Sequence, residues 1–266
     1  MELKKHAEFI LKKYKIDPNV TLDQHFMIDS KIIEKIVKKA NLKPNDTVLE
    51  IGSGIGFISR EIADTGCKLI TVEIDKSLVD TLKKEMKSYN NVKIVNDNVL
   101  KVIDNLEFDK IVSNTPYAIC ESLIHKLTRK KFKIAVLTVP KSFGYKLLSD
   151  GHLAAFSQVF FQTKMLFDLE KDVFYPKPKK NSVVISLKPR LGNTFLKQIF
   201  LLEKKKLKNS LLETIIYKDK ITKNEAREKL RNLKFNGKIL DKKISDINLK
   251  ELAYIIKHIK DSEIGG

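Results

Sequence analysis

Cysteine is scarce in this chain of 266 residues, which holds only Cys67 and Cys120. Two thiols cannot build a disulfide framework, so a reducing compartment, the cytoplasm, is expected. No stretch approaches the ~18 consecutive apolar residues that a membrane span needs. The N-terminus carries Glu2, Glu8 and scattered lysines without the apolar centre of a signal peptide. The five histidines and two cysteines show no metal-ligand spacing, so no metal is expected, and low-complexity repeats are absent. What remains is a chain 42% hydrophobic and 32% charged, enough for a sizeable core and one or two domains.

Acidic residues are also short, and unevenly so. Net charge is +18, from 51 Lys+Arg against 33 Asp+Glu. Lys171 to Lys260 holds 24 of the cations and 9 of the anions, whereas the rest holds 27 and 24. A general lysine bias, or the Lys/Ile richness of a thermophile, would not spare the first 170 residues. A localised basic surface faces a polyanion, and nucleic acid is the expected partner.

The hydrophobic pattern changes along the chain. Residues 1–20 read as an amphipathic lead-in broken at Pro18, and Leu22 to Ile28 as a short loop. Ile32, Ile33, Ile36 and Val37 recur at helical spacing. From Thr47 to Val139, short apolar strands alternate with helices, the pattern of a parallel sheet buried on both faces. Phe156 to Leu169 and Ser182 to Leu187 read as two later strands joined through Tyr175-Pro176-Lys177-Pro178. After Pro189 the chain becomes short helices with Leu/Ile faces, and Asn248 is placed to cap the last. The boundary falls near residue 190, with domains 1–190 and 191–266.

Gly52-Ser53-Gly54-Ile55-Gly56 follows the strand ending at Ile51 and opens a helix. Glycines there permit a tight turn and close approach of a ligand. Glu73 ends the next strand, 21 residues after Gly52, where a carboxylate accepts both hydroxyls of a ribose. A dinucleotide and S-adenosylmethionine are the alternatives. The Gly-x-Gly-x-Gly spacing after Glu50 fits S-adenosylmethionine better, since dinucleotide sites show Gly-x-Gly-x-x-Gly. Ile74 adjoins the ribose acid, and Asp97 and Asn98, after the third strand, can bond an adenine edge.

Asn114-Thr115-Pro116-Tyr117 stands at the C-terminal end of another strand, where open α/β sheets bind ligands. The N6 amine of adenine is a poor nucleophile because its lone pair is delocalised into the ring. Acceptors on its hydrogens, the Asn114 carboxamide oxygen and the Thr115 or Pro116 carbonyl, favour a pyramidal nitrogen. Tyr117 can stack on the base. No metal or strong base is needed. Cys120 stands where a helix would bury it. A cysteine nucleophile for cytosine would directly follow the proline, where this chain has Tyr117.

Together these residues resemble the ribosomal RNA adenine dimethyltransferases of the KsgA and Erm type, over most of the chain. Gln24-His25-Phe26-Met27-Ile28-Asp29 is similar to their Gln-Asn-Phe-Leu-x-Asp motif, which implies Gln24, His25 and Met27 at the methionine end of the cofactor. Glu50 to Gly56 resembles their cofactor loop, Glu73 their ribose acid, Asp97 their adenine contact and Asn114 to Tyr117 their Asn-Leu-Pro-Tyr. Phe174 to Val184 resembles their Phe-x-Pro-x-Pro-x-Val-x-Ser segment. The resemblance implies a Rossmann-like S-adenosylmethionine-dependent methyltransferase sheet with a small all-helical, RNA-engaging C-terminal domain. It implies dimethyladenosine in small-subunit rRNA or a pre-ribosomal particle; a monomer is expected because an RNA enzyme with a separate basic domain can work alone. His25 replaces Asn, Thr115 replaces Leu, and Pro140 falls in the segment lining the target site. Thr115 is expected to alter pocket width and, with it, tolerance for a second methyl. An RNA-binding ribosome-assembly factor on the same fold is the alternative; a small-molecule or protein methyltransferase fits the basic C-terminal region less well.

Overall fold

The computed structural model of the chain describes residues 2–260. It opens with helix α1 (Leu3–Tyr14), a two-residue strand β1 (Phe26–Met27) and α2 (Ser30–Ala40). Strands and helices then alternate: β2 (Thr47–Ile51), α3 (Phe57–Ala63), β3 (Lys68–Glu73), α4 (Lys76–Glu85), β4 (Val92–Asn96), α5 (Val99–Val102), β5 (Lys110–Asn114), α6 (Cys120–Leu127) and β6 (Ile134–Pro140). Helices α7 (Lys141–Lys146) and α8 (His152–Phe160) lead to β7 (Phe161–Leu169), β8 (Phe174–Tyr175) and β9 (Ser182–Pro189). Five α-helices follow among the described residues: α9 (Thr194–Leu201), α10 (Leu207–Asp219), α11 (Lys223–Asn232), α12 (Gly237–Leu240) and α13 (Leu249–Lys260).

Seven strands form one sheet in the order β4-β3-β2-β5-β6-β9-β7. The first five pair in parallel, and β9 runs antiparallel to β6. Val48, Leu49, Ile51, Ile111 and Val112 are buried, as a parallel sheet covered on both faces requires. The chain winds outward from β2 to β4, then returns to β5 on the other side of β2. This reversal opens a crevice at the C-terminal ends of the strands. The opposite end is structural. There Asp46 receives Lys110 Nζ at 2.7 Å, Lys133 Nζ at 3.0 Å and the Lys43 amide at 2.8 Å.

Two expectations from sequence are corrected. The segment read as a loop contains β1, which pairs antiparallel with β8 so that Phe26 faces Tyr175 and Met27 faces Phe174. Phe156 to Leu169 is not one strand. Through Phe160 it belongs to α8, with Phe156 and Phe160 rings 4.7 Å apart one helical turn on, and only from Phe161 is it extended. A nearly continuous apolar run satisfies both periods, and tertiary burial decides between them.

By contacts the chain falls into two compact units. The first runs to Gly144 and resumes over Thr163–Pro189; the second is Tyr145–Gln162 together with the chain from Arg190 onward. In the second, His152 stacks on Phe200 with rings 3° from parallel. Asn248 and Glu251 cap α13 reciprocally, the Glu251 amide donating to Asn248 Oδ1 at 3.0 Å. No described helix is long and apolar enough to cross a membrane.

Candidate active site

The glycine loop, the ends of β3, β4 and β5, and the segment before β1 converge on one cavity in the first unit. Gly52 and Gly54 line it with left-handed φ of 73° and 53°. A Cβ on Gly54 would lie 2.8 Å from the Phe26 ring, and one on Gly52 3.3 Å from the Pro116 ring. Side chains there would both strain the backbone and fill the cradle. Beneath the loop, Glu50 is fully buried and accepts from Ser59 Oγ at 2.5 Å. Burial pushes its carboxyl up to about 7, against the opposing hydrogen bond.

Glu73 is fixed as the loop's counterpart. Its Oε2 accepts the Gly54 amide and its Oε1 the Asp75 amide, both at 3.0 Å. Burial raises its pKa, and those backbone donors oppose the rise. Asp75 also caps α4 through Ser77. Burial would raise the Asp75 carboxyl, but Ser77 and Gln24 outweigh it and hold it below the ordinary range. Ile74 lines the cavity while 53% exposed, an apolar face of the kind a planar base covers. Asp97 is exposed at the cavity and receives the Asn98 amide at 2.6 Å. Asn98 also lines it, but its carboxamide oxygen caps α5 through the Leu100 amide at 2.9 Å. Ser53 Oγ is buried in the lining without a protein partner among the described residues.

The tetrapeptide Asn114 to Tyr117 is held by segments far away in sequence. Asn114 Nδ2 donates to the backbone carbonyl of His25 at 2.8 Å. Its Oδ1 is thereby oriented and has no protein donor among the described residues. The Pro116 carbonyl takes the Ile119 amide at 3.1 Å, and the Thr115 carbonyl takes no backbone donor among the described loop and turn bonds. Tyr117 stands outside the cavity lining, its hydroxyl 2.5 Å from Ser182 Oγ on β9 and its ring 6.5 Å from that of His25. Burial raises the phenol's pKa. The Ala118 amide donates to Asp23 Oδ2 at 2.9 Å.

Gln24, His25 and Met27 all line the cavity. Both ends of the Gln24 amide are taken by protein: Nε2 donates to Asp75 and Oε1 accepts the Asn19 amide. Gln24 is therefore a brace between the loop and the β3 end. His25 Nδ1 lies 2.8 Å from the Pro176 carbonyl, which can only accept, so Nδ1 carries the proton. Sequence reasoning missed Asp23, Asp75, Pro176 and Ser182 as partners of the site. Ser182 and Pro176 act across 65 and 151 residues of chain; both lie in the segment Phe174 to Val184 singled out by its pattern, but the pattern does not say which residues they meet.

The family model of the ribosomal RNA adenine dimethylases matches residues 17–248. The chain belongs to this family. Its members are S-adenosylmethionine-dependent enzymes that methylate the exocyclic amine of adenine in ribosomal RNA. A probable ribosomal RNA small subunit methyltransferase A from Methanosarcina mazei is 35% identical, over 95% of this chain and 96% of its own. A ribosomal RNA small subunit methyltransferase A from Thermotoga neapolitana is 36% identical over 76% and 82%. The fold matches a dimethyladenosine transferase from Plasmodium falciparum with a TM-score of 0.66 at 24% identity, over 90% of this chain and 98% of that one. It also matches the 23S rRNA methyltransferase ErmE with a TM-score of 0.60 at 20% identity, over 88% and 99%.

The departures from the family pattern now have places. Thr115 is 1% exposed and turned into the core, its Oγ1 donating to Ser113 Oγ at 3.0 Å, so it does not set the pocket width as expected. Cys120 is buried near the Pro116 carbonyl, and burial pushes its thiol up to about 12, which leaves no thiolate nucleophile. Pro140 ends β6 opposite Ser182, and the ladder continues one residue on, from the Lys141 amide to the Asn181 carbonyl at 2.9 Å.

Proposed function

We propose that this family member dimethylates N6 of adenine in small-subunit ribosomal RNA, in the cytoplasm and as a monomer, with Asn114 and the Thr115 carbonyl as the acceptors that activate the amine. The residues at the crevice fit S-adenosylmethionine. Glu73 is held where it meets a ribose, Ile74 and Asp97 offer a face and an acceptor to adenine, and the glycine cradle leaves room that a Cβ would occupy. When bound, S-adenosylmethionine supplies an electrophilic methyl group on a sulfonium.

The observation that carries the reading is the bond from Asn114 Nδ2 to the His25 carbonyl. It orients the carboxamide and leaves Oδ1 without a protein donor among the described residues. An amine held between Oδ1 and the Thr115 carbonyl loses conjugation with its ring, and its lone pair becomes available. The proton is shed after methylation, when the nitrogen is acidic, so no strong base is required. After one transfer a single hydrogen remains, and one acceptor suffices to orient the second. The Tyr117 ring, anchored through Ser182, offers the base a stacking face.

The small-subunit target rests on the relatives that carry that name, and on the basic C-terminal region as the surface for RNA. The direct test is Asn114→Ala. Methyl transfer should fall by about 10²–10³-fold while S-adenosylmethionine affinity stays within roughly threefold, because the residue acts on the amine and not on the donor. A variant that keeps full activity would overturn the assignment.

A further inference from the structure

The charge of the second unit is not spread evenly over its surface once its ion pairs are removed. Lys205 is paired with Glu213, Lys206 and Lys208 with Asp241, Lys229 with Asp219, and Lys242 with Glu251. Along α11, however, Lys223, Arg227 and Arg231 recur every fourth residue, all exposed, and none has an acidic partner among the described residues. Arg227 makes only a 3.4 Å contact to Asn224 Oδ1. At 1.5 Å rise per residue the three cations stand about 6 Å apart along one face, close to the step between successive phosphates of a stacked strand. Lys234, just past the helix with φ of 49°, extends the row. Of the nearby acids, Glu225 is tied to Thr222 in the capping box, and Glu228 has no ion-pair partner among the described residues.

The residue types carry as much as the spacing. Only five of the 51 cations in this chain are arginines. Arg60 is paired with Glu85, Arg190 donates to the Phe161 carbonyl, and Arg129 adds to the field at Asp104. The other two stand one turn apart on α11 and line a groove whose remaining walls are Leu230, Phe235 and Leu240. A general preference for lysine cannot account for two arginines there. Guanidinium is the group whose planar fork meets phosphate oxygens in pairs and whose face covers a base.

We propose that the α11 face is a docking surface for the backbone of the substrate ribosomal RNA, with Lys223, Arg227 and Arg231 on consecutive phosphates and the Leu230–Phe235–Leu240 groove against the adjoining sugar or base. This rests on the reading of the protein as an RNA methyltransferase and goes beyond it in naming the surface. RNA is the occupant because the row is uniformly cationic and evenly spaced, as a polyphosphate demands, while the groove beside it is apolar.

The test uses the full chain and an unmodified transcript of small-subunit ribosomal RNA, with affinity measured across a salt series. The triple variant K223Q/R227Q/R231Q should lower the slope of log K against log salt by about 2–3, the value for three lost phosphate contacts, with S-adenosylmethionine affinity and circular dichroism unchanged. The exposed triple K238Q/K243Q/K257Q, taken from the same unit, should lower it by less than about 1. The double variant R227K/R231K should keep the slope yet bind several-fold more weakly, because the charge remains and the fork is gone. An unchanged slope in the first triple, or an equal loss in the second, would overturn the proposal. Methyl transfer by the wild-type chain to small ribosomal subunits lacking the modification separates the two failures: transfer with an unchanged slope sinks only the surface, and absence of transfer sinks the reading beneath it.

Discussion

At the residue scale, the site depends on polar groups whose orientation is set by partners distant in sequence. Tyr117 is anchored by Ser182, and Asn114 by the carbonyl of a residue whose own side chain is tied to Pro176. Ser182→Ala should slow transfer by about tenfold through a loosened Tyr117, with cofactor affinity unchanged, since small misplacements of a positioned group are costly. Single-turnover kinetics beside a titration with S-adenosylmethionine would show it, and an unaffected rate would remove Ser182 from the positioning set. Glu50 gives a second prediction. Its folded carboxyl holds a proton to about 7 because of burial, whereas the unfolded one titrates at its ordinary value of 4.5. The stability it contributes is therefore complete below 4.5 and is lost as pH rises through 7. Glu50→Gln should be nearly neutral at pH 5 and stabilising by about 2 kcal/mol at pH 8, read as a widening difference in Tm between those pH values. A difference constant across that range would contradict the raised pKa.

At the element scale, the two ends of the sheet have separate tasks. The ends where β2, β5 and β6 begin are tied together by Asp46 with Lys110 and Lys133, while the C-terminal ends stay open for ligand. The loop after β2 is the most sensitive connection. Gly54→Ala must accommodate both a left-handed φ and a Cβ 2.8 Å from Phe26, which belongs to the β1 ribbon. It should weaken S-adenosylmethionine binding by tenfold or more, a cost of about 1–3 kcal/mol for a strained conformation of this kind. Calorimetric titration that found wild-type affinity would show that the cradle is not where the donor sits. The alternating strands and helices from Thr47 to Val139, the glycine loop and Glu73 were legible in the sequence because each is a local pattern with a fixed period or spacing. The β1–β8 ribbon was not, since two-residue strands carry no periodicity and their pairing joins Phe26 to Tyr175 across most of the first unit. Thr115 was misjudged for a related reason. A tetrapeptide gives the order of its side chains but not which of them faces the core, and here the Ser113 hydroxyl draws Thr115 inward.

At the scale of the whole molecule, charge and unit boundaries are linked. The basic surplus was visible by counting, but which of its cations stay unpaired along α11 was not, because that depends on which lysines find carboxylates across the fold. Residues 145–162 join the second unit although they run into β7 of the first unit's sheet, and Phe156 and Phe160 are buried. A chain ending at residue 190 would therefore leave α8 without α9, so surface substitutions in the full-length protein are the cleaner probe of RNA binding. The central claim is that this chain carries two methyl groups to adenine N6 in small-subunit ribosomal RNA. Its most direct test is transfer of labelled methyl from S-adenosylmethionine to small ribosomal subunits lacking the modification, followed by nucleoside analysis. The account predicts dimethyladenosine as the end product, with monomethyladenosine only as an intermediate in time. Absence of incorporation into the subunit and its RNA, by protein that binds S-adenosylmethionine, would contradict it.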